Sequence, residues 1–313
     1  MRPAALAALL VCAPAAARAA SAGNGASTLR QPSSARAAAL GGALEAEGGG
    51  LDSLGINPAG AAAAKRPELA ASAMSGIADD QFGFLGYAHP LKAGVAFAGL
   101  AYYDAGPVVV ADLNGAQQTV AAERDYVGMF GWAMPLGGGF SVGALGKAYK
   151  FTLAQSASAT GFAADAGARW DSPLPGVSLG AAVQNLGPGV KYETASDPLP
   201  LTARGGLAWT LESRPHGQVE DVRSYYTGTR MTLSADALKV RDEDLAGALS
   251  GEFAVDMGPQ TAIALRVSNL FGPAAGGLSF GIGVREGRFT ADYAVVSKGE
   301  LGYAQDVTVG VRF

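Results

Sequence analysis

The chain has 313 residues, a net charge of -4 and only 16% charged residues, so nothing in it favours a nucleic-acid partner. Its 45 glycines and many alanines dominate the apolar fraction, where a soluble core of this size would draw on more leucine and isoleucine. The single cysteine, Cys12, excludes an intrachain disulfide framework.

The first residues read as an export signal. Arg2 supplies the positive end, Ala4 to Ala15 is an apolar stretch of h-region length, and Ala17-Arg18-Ala19 is an A-x-A site with cleavage expected after Ala19. The stretch falls short of the ~20 residues that a spanning helix needs. A lipoprotein reading would lipidate Cys12 after Leu9-Leu10-Val11; the short apolar run before it and the A-x-A site after it weigh against that. Residues 20–34 are small and polar, as in a leader. Residues 35–65 are rich in Ala and Gly, fit one or two helical turns, and end in the turn signature Asn57-Pro58-Ala59-Gly60. The expected organisation is a signal at 1–19, a leader and N-terminal plug at 20–66, and a β-barrel at 67–313.

From Glu68 onward the pattern is strand after strand. Met231, Leu233, Ala235 and Ala237 alternate with Arg230, Thr232, Ser234 and Asp236, and Val307, Val309, Val311 and Phe313 with Asp306, Thr308, Gly310 and Arg312. A period of two puts each set on its own face. The expected strands are 68–75, 81–88, 92–103, 125–134, 140–150, 161–170, 177–185, 201–211, 230–239, 249–257, 261–268, 277–285, 288–297 and 305–313. Their even number and their lengths suit an antiparallel transmembrane barrel, all-β in class, whose strands need ~9–11 residues to cross. A soluble sandwich shows the same alternation, so the period alone leaves the class open.

Connection lengths sharpen the reading. Short Pro- or Gly-rich turns are expected at 89–91, 135–139, 171–176, 258–260 and 286–287, and longer loops at 104–124, 151–160, 186–200, 240–248, 269–276 and 298–304. That is the asymmetry of an outer-membrane barrel. The long stretch 212–229 and the short 76–80 break the rule. Tyr102, Tyr103, Tyr126 and Tyr149 at one end, and Trp132, Trp170 and Trp209 at the other, suit aromatic girdles at headgroup depth.

Two sets of candidate residues follow. Asp236, Glu252, Asp256, Arg266, Arg285, Asp292 and Arg312 fall opposite the large apolar residues, so in a barrel they would line the lumen and pair there. Facing lipid instead would cost ~2–4 kcal/mol for an Arg at the midplane. The second set is the plug turn, Asn57, Pro58 and Gly60. Residues Ala37 to Leu40, Leu44, Leu51, Leu54 and Ile56 are too apolar for a free tail, and a wide barrel has an interior to fill.

No enzyme, cofactor or metal is expected. His89 and His216 stand apart, with no Cys/His cluster of metal spacing. Gly137-Gly138-Gly139 lacks the Lys and Ser/Thr of a phosphate loop. No nucleophile is marked beside a base, and Asp242-Glu243-Asp244 reads as a solvated acidic loop.

Three stretches carry a resemblance: Ser34 to Ala43 followed by Asn57-Pro58-Ala59-Gly60; Val183-Gln184-Asn185-Leu186-Gly187 followed by Pro198 to Gly206; and the terminal Val309-Gly310-Val311-Arg312-Phe313. The first two resemble the FadL-like outer-membrane barrels, especially the PorV/PorQ branch, and the third resembles the C-terminus of outer-membrane proteins in general. The resemblance implies a fourteen-stranded barrel with an N-terminal segment in its lumen, set in the bacterial outer membrane. It implies outer-membrane lipid as surroundings and assembly through the C-terminal Phe313. Three functions are open: a channel for hydrophobic or amphipathic solutes, a type IX secretion component that carries or anchors secreted proteins, or a purely structural barrel.

Overall fold

Residues that alternate in polarity with period two cannot hide both faces, and here the sheet resolves this by closing on itself. The computed structural model describes residues 26–77, 79–111, 117–154, 157–192, 195–213, 228–258, 260–272 and 276–313. The signal reading with Cys12 and Ala19, the start of the leader, and His216 lie outside these residues. The strands are β1 (Glu68–Ser75), β2 (Gln81–Leu91), β3 (Gly94–Asp104), β4 (Pro107–Ala111), β5 (Gln117–Ala121), β6 (Glu123–Gly137), β7 (Phe140–Leu153), β8 (Ala157–Asp171) and β9 (Val177–Leu186). They continue as β10 (Val190–Tyr192), β11 (Ala195–Asp197), β12 (Thr202–Ser213), β13 (Gly228–Val240), β14 (Ala246–Asp256), β15 (Thr261–Phe271), β16 (Gly277–Glu286), β17 (Phe289–Ser297) and β18 (Tyr303–Arg312).

Fourteen of them form one closed antiparallel barrel, in the order β1-β2-β3-β6-β7-β8-β9-β12 to β18 and back to β1. Closure runs from Glu68 opposite Arg312 to Ser75 opposite Gln305. The remaining four strands make two separate hairpins, β4–β5 and β10–β11, inside the two longest described connections at the long-loop end. Both lie within the stretches 104–124 and 186–200 expected as loops.

The outside is apolar. Leu85, Leu100, Phe130, Phe162, Leu207 and Leu265 point away from the barrel and are exposed. On β13 the pattern is the reverse of a soluble protein's: Leu233 is exposed while Thr232, Ser234 and Asp236 are buried. A band of this kind running round a molecule far exceeds the apolar patches that soluble monomers expose, and it suits a hydrocarbon solvent around a wall in which each barrel strand is paired on both sides.

Several boundaries differ from expectation. β2 continues to Leu91 and the turn is Lys92-Ala93. Pro90 lies beyond the last β1 pair, Glu68 with Ala88, where β1 no longer flanks the strand and a proline is tolerated. β6 runs through Pro135 to Gly137 with a register shift that absorbs the proline. β12 and β13 pair directly from Ser213 with Thr229, so the strand count holds across the long connection, of which 214–227 lies outside the described residues. The girdle reading fails for two tyrosines. Tyr149 is buried and stacks on Phe151 with centroids 4.4 Å apart, and Tyr103 packs against the same internal cluster. Their positions share the inward parity of Phe97 and Phe151.

Candidate functional site: the lumen and its N-terminal segment

Residues 26–66 precede the first barrel strand and contain one short helix, α1 (Ala35–Ala39), and 3-10 turns at Ser27–Arg30, Gly50–Ser53 and Pro58–Ala63. Ser34 caps α1, its side chain accepting from the Ala37 N–H at 3.2 Å. The stretch Asn57–Gly60, expected as a turn into β1, is instead the capped start of the last 3-10 helix. The Asn57 Oδ1 accepts from the Ala59 N–H at 3.0 Å, and Pro58 occupies the first helical position, where a missing N–H costs nothing.

This segment touches the wall on every side. Ser72 of β1 donates to the Ser33 carbonyl at 2.9 Å, and Thr308 of β18 accepts from the Ala35 N–H at 2.7 Å. Ser268 of β15 donates to the Ala39 carbonyl at 2.8 Å, and Asp236 of β13 accepts from the Glu45 N–H at 3.0 Å. Arg204 of β12 donates to the Gly42 carbonyl at 2.8 Å, and Gln184 of β9 to the Gly55 carbonyl at 2.6 Å. On the opposite arc Thr28 donates to Asp125 of β6. Contacts all round a ring are possible only from within it, so residues 26–66 occupy the barrel interior.

Two chemistries hold the segment there. The first is ionic and faces β12 to β18. Arg36 binds Glu252 at 2.8 Å and Glu47 at 2.6 Å; Glu252 in turn binds Arg266 at 2.6 Å, which binds Asp292 at 2.6 Å. Arg204 pairs with the fully buried Glu45 at 2.6 Å. Burial pushes the Glu45 carboxyl up to about 7, against the pull of Arg204 and with help from the nearby Asp236. The second is apolar and faces β1 to β8, where Leu29, Leu51 and Leu54 join a cluster with Phe84, Phe97 and Phe151. Each fully buried leucine contributes about 2 kcal/mol.

Close approach explains three wall glycines. A Cβ on Gly143, Gly167 or Gly180 would overlap Pro58, the Asn57 Oδ1 or the Glu45 carbonyl. Asn57 itself is fully buried and donates to the Glu45 carbonyl at 2.8 Å and the Ala168 carbonyl at 3.1 Å. Nearby, Asn185 takes a left-handed φ of 59° at the β8–β9 register shift. Its side chain accepts from Lys147 at 2.8 Å and donates to the Pro200 carbonyl at 3.1 Å, while Lys147 pairs with Asp165 at 2.7 Å.

The seven charged residues singled out in the sequence fall into three places. Glu252, Arg266 and Asp292 form the Arg36 cluster, and Asp236 receives the Glu45 N–H. Arg285 with Asp256 at 2.9 Å, and Arg312 with Glu68 at 3.2 Å, stand half-exposed at the short-turn end. That end holds a cavity of about 1180 Å³, floored by Arg36, Glu252, Arg266 and Leu51. Phe313 follows β18, its N–H bonded to the Pro67 carbonyl at 2.9 Å. The acidic loop at 242–244 reaches the segment too, Glu243 pairing with Arg30 at 2.6 Å. Among the described residues no group of three or more His, Cys, Asp or Glu side chains is placed to hold a metal ion.

No family model matches the sequence, and no curated protein matches it. Solved structures do match in shape. The Pseudomonas putida toluene transporter TodX aligns with a TM-score of 0.58 and 13% identity over 91% of this chain and 99% of that one. The monoaromatic hydrocarbon channel CymD gives 0.55 and 10% over 90% and 98%, and the Ralstonia pickettii toluene transporter TbuX gives 0.53 and 10% over 90% and 98%. The chain shares their barrel fold.

Proposed function

We propose that this chain is a FadL-like barrel of the bacterial outer membrane that passes hydrophobic or amphipathic solutes. The observation that carries the reading is the two-sided lumen. One arc of the wall presents Phe82, Phe84, Phe97 and Phe151 inward, in one cluster with Leu29, Leu51 and Leu54 of the inner segment, and so builds an apolar, aromatic interior opposite the charged arc. The apolar outer band supports a membrane setting, and the fold shared with toluene transporters supports the solute class. Export with cleavage after Ala19, and insertion by the barrel-assembly machinery through Phe313, belong to the same reading.

Uptake of labelled toluene by cells with and without the gene tests it. Faster uptake in the presence of the barrel is expected; equal uptake, with the barrel shown to be folded in the outer membrane, contradicts it.

The second reading is a type IX secretion component of the PorV/PorQ branch. What favours it is the resemblance at Asn57-Pro58-Ala59-Gly60 and at Gln184-Asn185-Leu186-Gly187. In the barrel Asn57 and Gln184 of these stretches bond the inner segment to the wall. Co-purification of secreted proteins with the tagged barrel would favour this reading, and their absence the first.

A further inference from the structure

We propose that the cavity at the short-turn end is a binding site for a small oxyanion, the carboxylate or phosphate of a water-soluble solute. The chain as a whole is acidic, with a net charge of -4, yet this cavity is lined by eight of its 23 Lys and Arg residues and only six of its 27 Asp and Glu residues. The excess is concentrated at the rim. On the floor Arg36 and Arg266 are consumed by Glu252, Glu47 and Asp292. Toward the opening lie Arg66, Arg285, Arg288 and Arg312, which the fold brings onto one short arc.

The backbone fixes that arc. The Arg312 N–H donates to the Arg288 carbonyl at 2.8 Å, and the Phe313 N–H to Pro67, the residue after Arg66, at 2.9 Å. Arg285 is the last residue but one of β16, three residues before Arg288. Arg285 reaches Asp256 through one nitrogen, and Arg312 reaches Glu68 through one nitrogen. Each guanidinium carries five N–H donors, so each keeps donors beyond its one carboxylate contact, and both line the cavity, where their planar forks match a carboxylate or phosphate edge. Arg66 and Arg288 are exposed at the same opening. The cavity's size admits a whole solute behind the bound anion, and Leu51 and Ala63 offer it an apolar surface. This site is separate from the aromatic arc, so the apolar-solute reading stands or falls without it.

Titration calorimetry of the full-length protein in an uncharged detergent tests the proposal, with inorganic phosphate, benzoate and its neutral counterpart benzyl alcohol as probes. Saturable binding of phosphate and benzoate is expected. It should weaken at least tenfold in the double variant Arg66→Gln/Arg288→Gln, in which the wall contact changed is the Arg288 guanidinium over the Phe289 ring, 5.2 Å from its centroid. Heat-modifiable migration should be unchanged in that variant, and benzyl alcohol should not follow the same loss. The proposal is overturned if neither anion binds saturably, if the double variant binds them as the native protein does, or if an acidic peptide binds where both small anions fail.

Discussion

Arg36 on α1 and Glu252 on β14, 216 residues apart in sequence, are joined by two hydrogen bonds, 2.8 Å from Nε to Oε2 and 3.2 Å from Nη2 to Oε1. Both side chains are largely buried, so cutting the link leaves a charge without its partner inside the barrel. Arg36→Ala should cost about 3 kcal/mol of the segment's docking. Protease protection of residues 26–66 in the folded barrel reads this directly; unchanged protection would show that the apolar contacts suffice.

Asn57 is the second anchor. Asn57→Ala removes the helix cap and leaves the buried carbonyls of Glu45 and Ala168 each short of a donor. A loss of about 1–3 kcal/mol is expected, measured by urea unfolding in detergent. A smaller loss in Asn57→Asp than in Asn57→Ala would apportion the effect to the cap.

The wall glycines separate fit from composition. Gly167→Ala should displace the inner segment, because the new Cβ meets the Asn57 Oδ1, at a cost of about 1–3 kcal/mol. Gly251→Ala meets only ordinary contacts, from Leu233 at 3.6 Å and Val267 at 3.9 Å, and should be silent. Equal behaviour of the two variants would contradict the close-approach account.

Docking should also depend on pH through Glu45. Its carboxyl titrates near 7 when docked, against an ordinary 4.5 when released. The docked state therefore binds more protons between those values, and docking is strongest below 4.5, declines as pH rises to 7, and is level above. Protease protection followed from pH 5 to pH 8 should fall in the native protein and fall less in Glu45→Gln. Parallel profiles would remove Glu45 from the account.

How much of this was legible follows from polarity contrast. On β13 to β18 the inner side is charged and the outer side apolar, so a period of two assigns Asp236, Glu252, Arg266 and Asp292 to one face unaided. On β2 and β3 both faces are apolar, Phe82 and Phe84 inside with Leu85 and Leu100 outside. No contrast marks the lumen there, and the aromatic arc escaped notice for that reason. Tyr103 and Tyr149 lie near strand ends, as girdle tyrosines do, but their parity turns them inward onto the apolar cluster. The two hairpins in the loops are only five and three residues per strand, too short for a periodic signal. The partners of the charged face were hidden for another reason. Arg36, Glu45 and Glu47 lie in a segment with almost no regular structure, so only the folded chain brings them to β12 and β14.

The central claim is that residues 26–66 close the barrel from within. Planar-bilayer conductance of the native protein, compared with a variant lacking residues 35–60, tests it most directly. The account predicts small or no steps for the native protein and several-fold larger ones for the deletion, since the lumen would then be left as a water channel. Identical conductance from a deletion barrel that migrates as folded would contradict it.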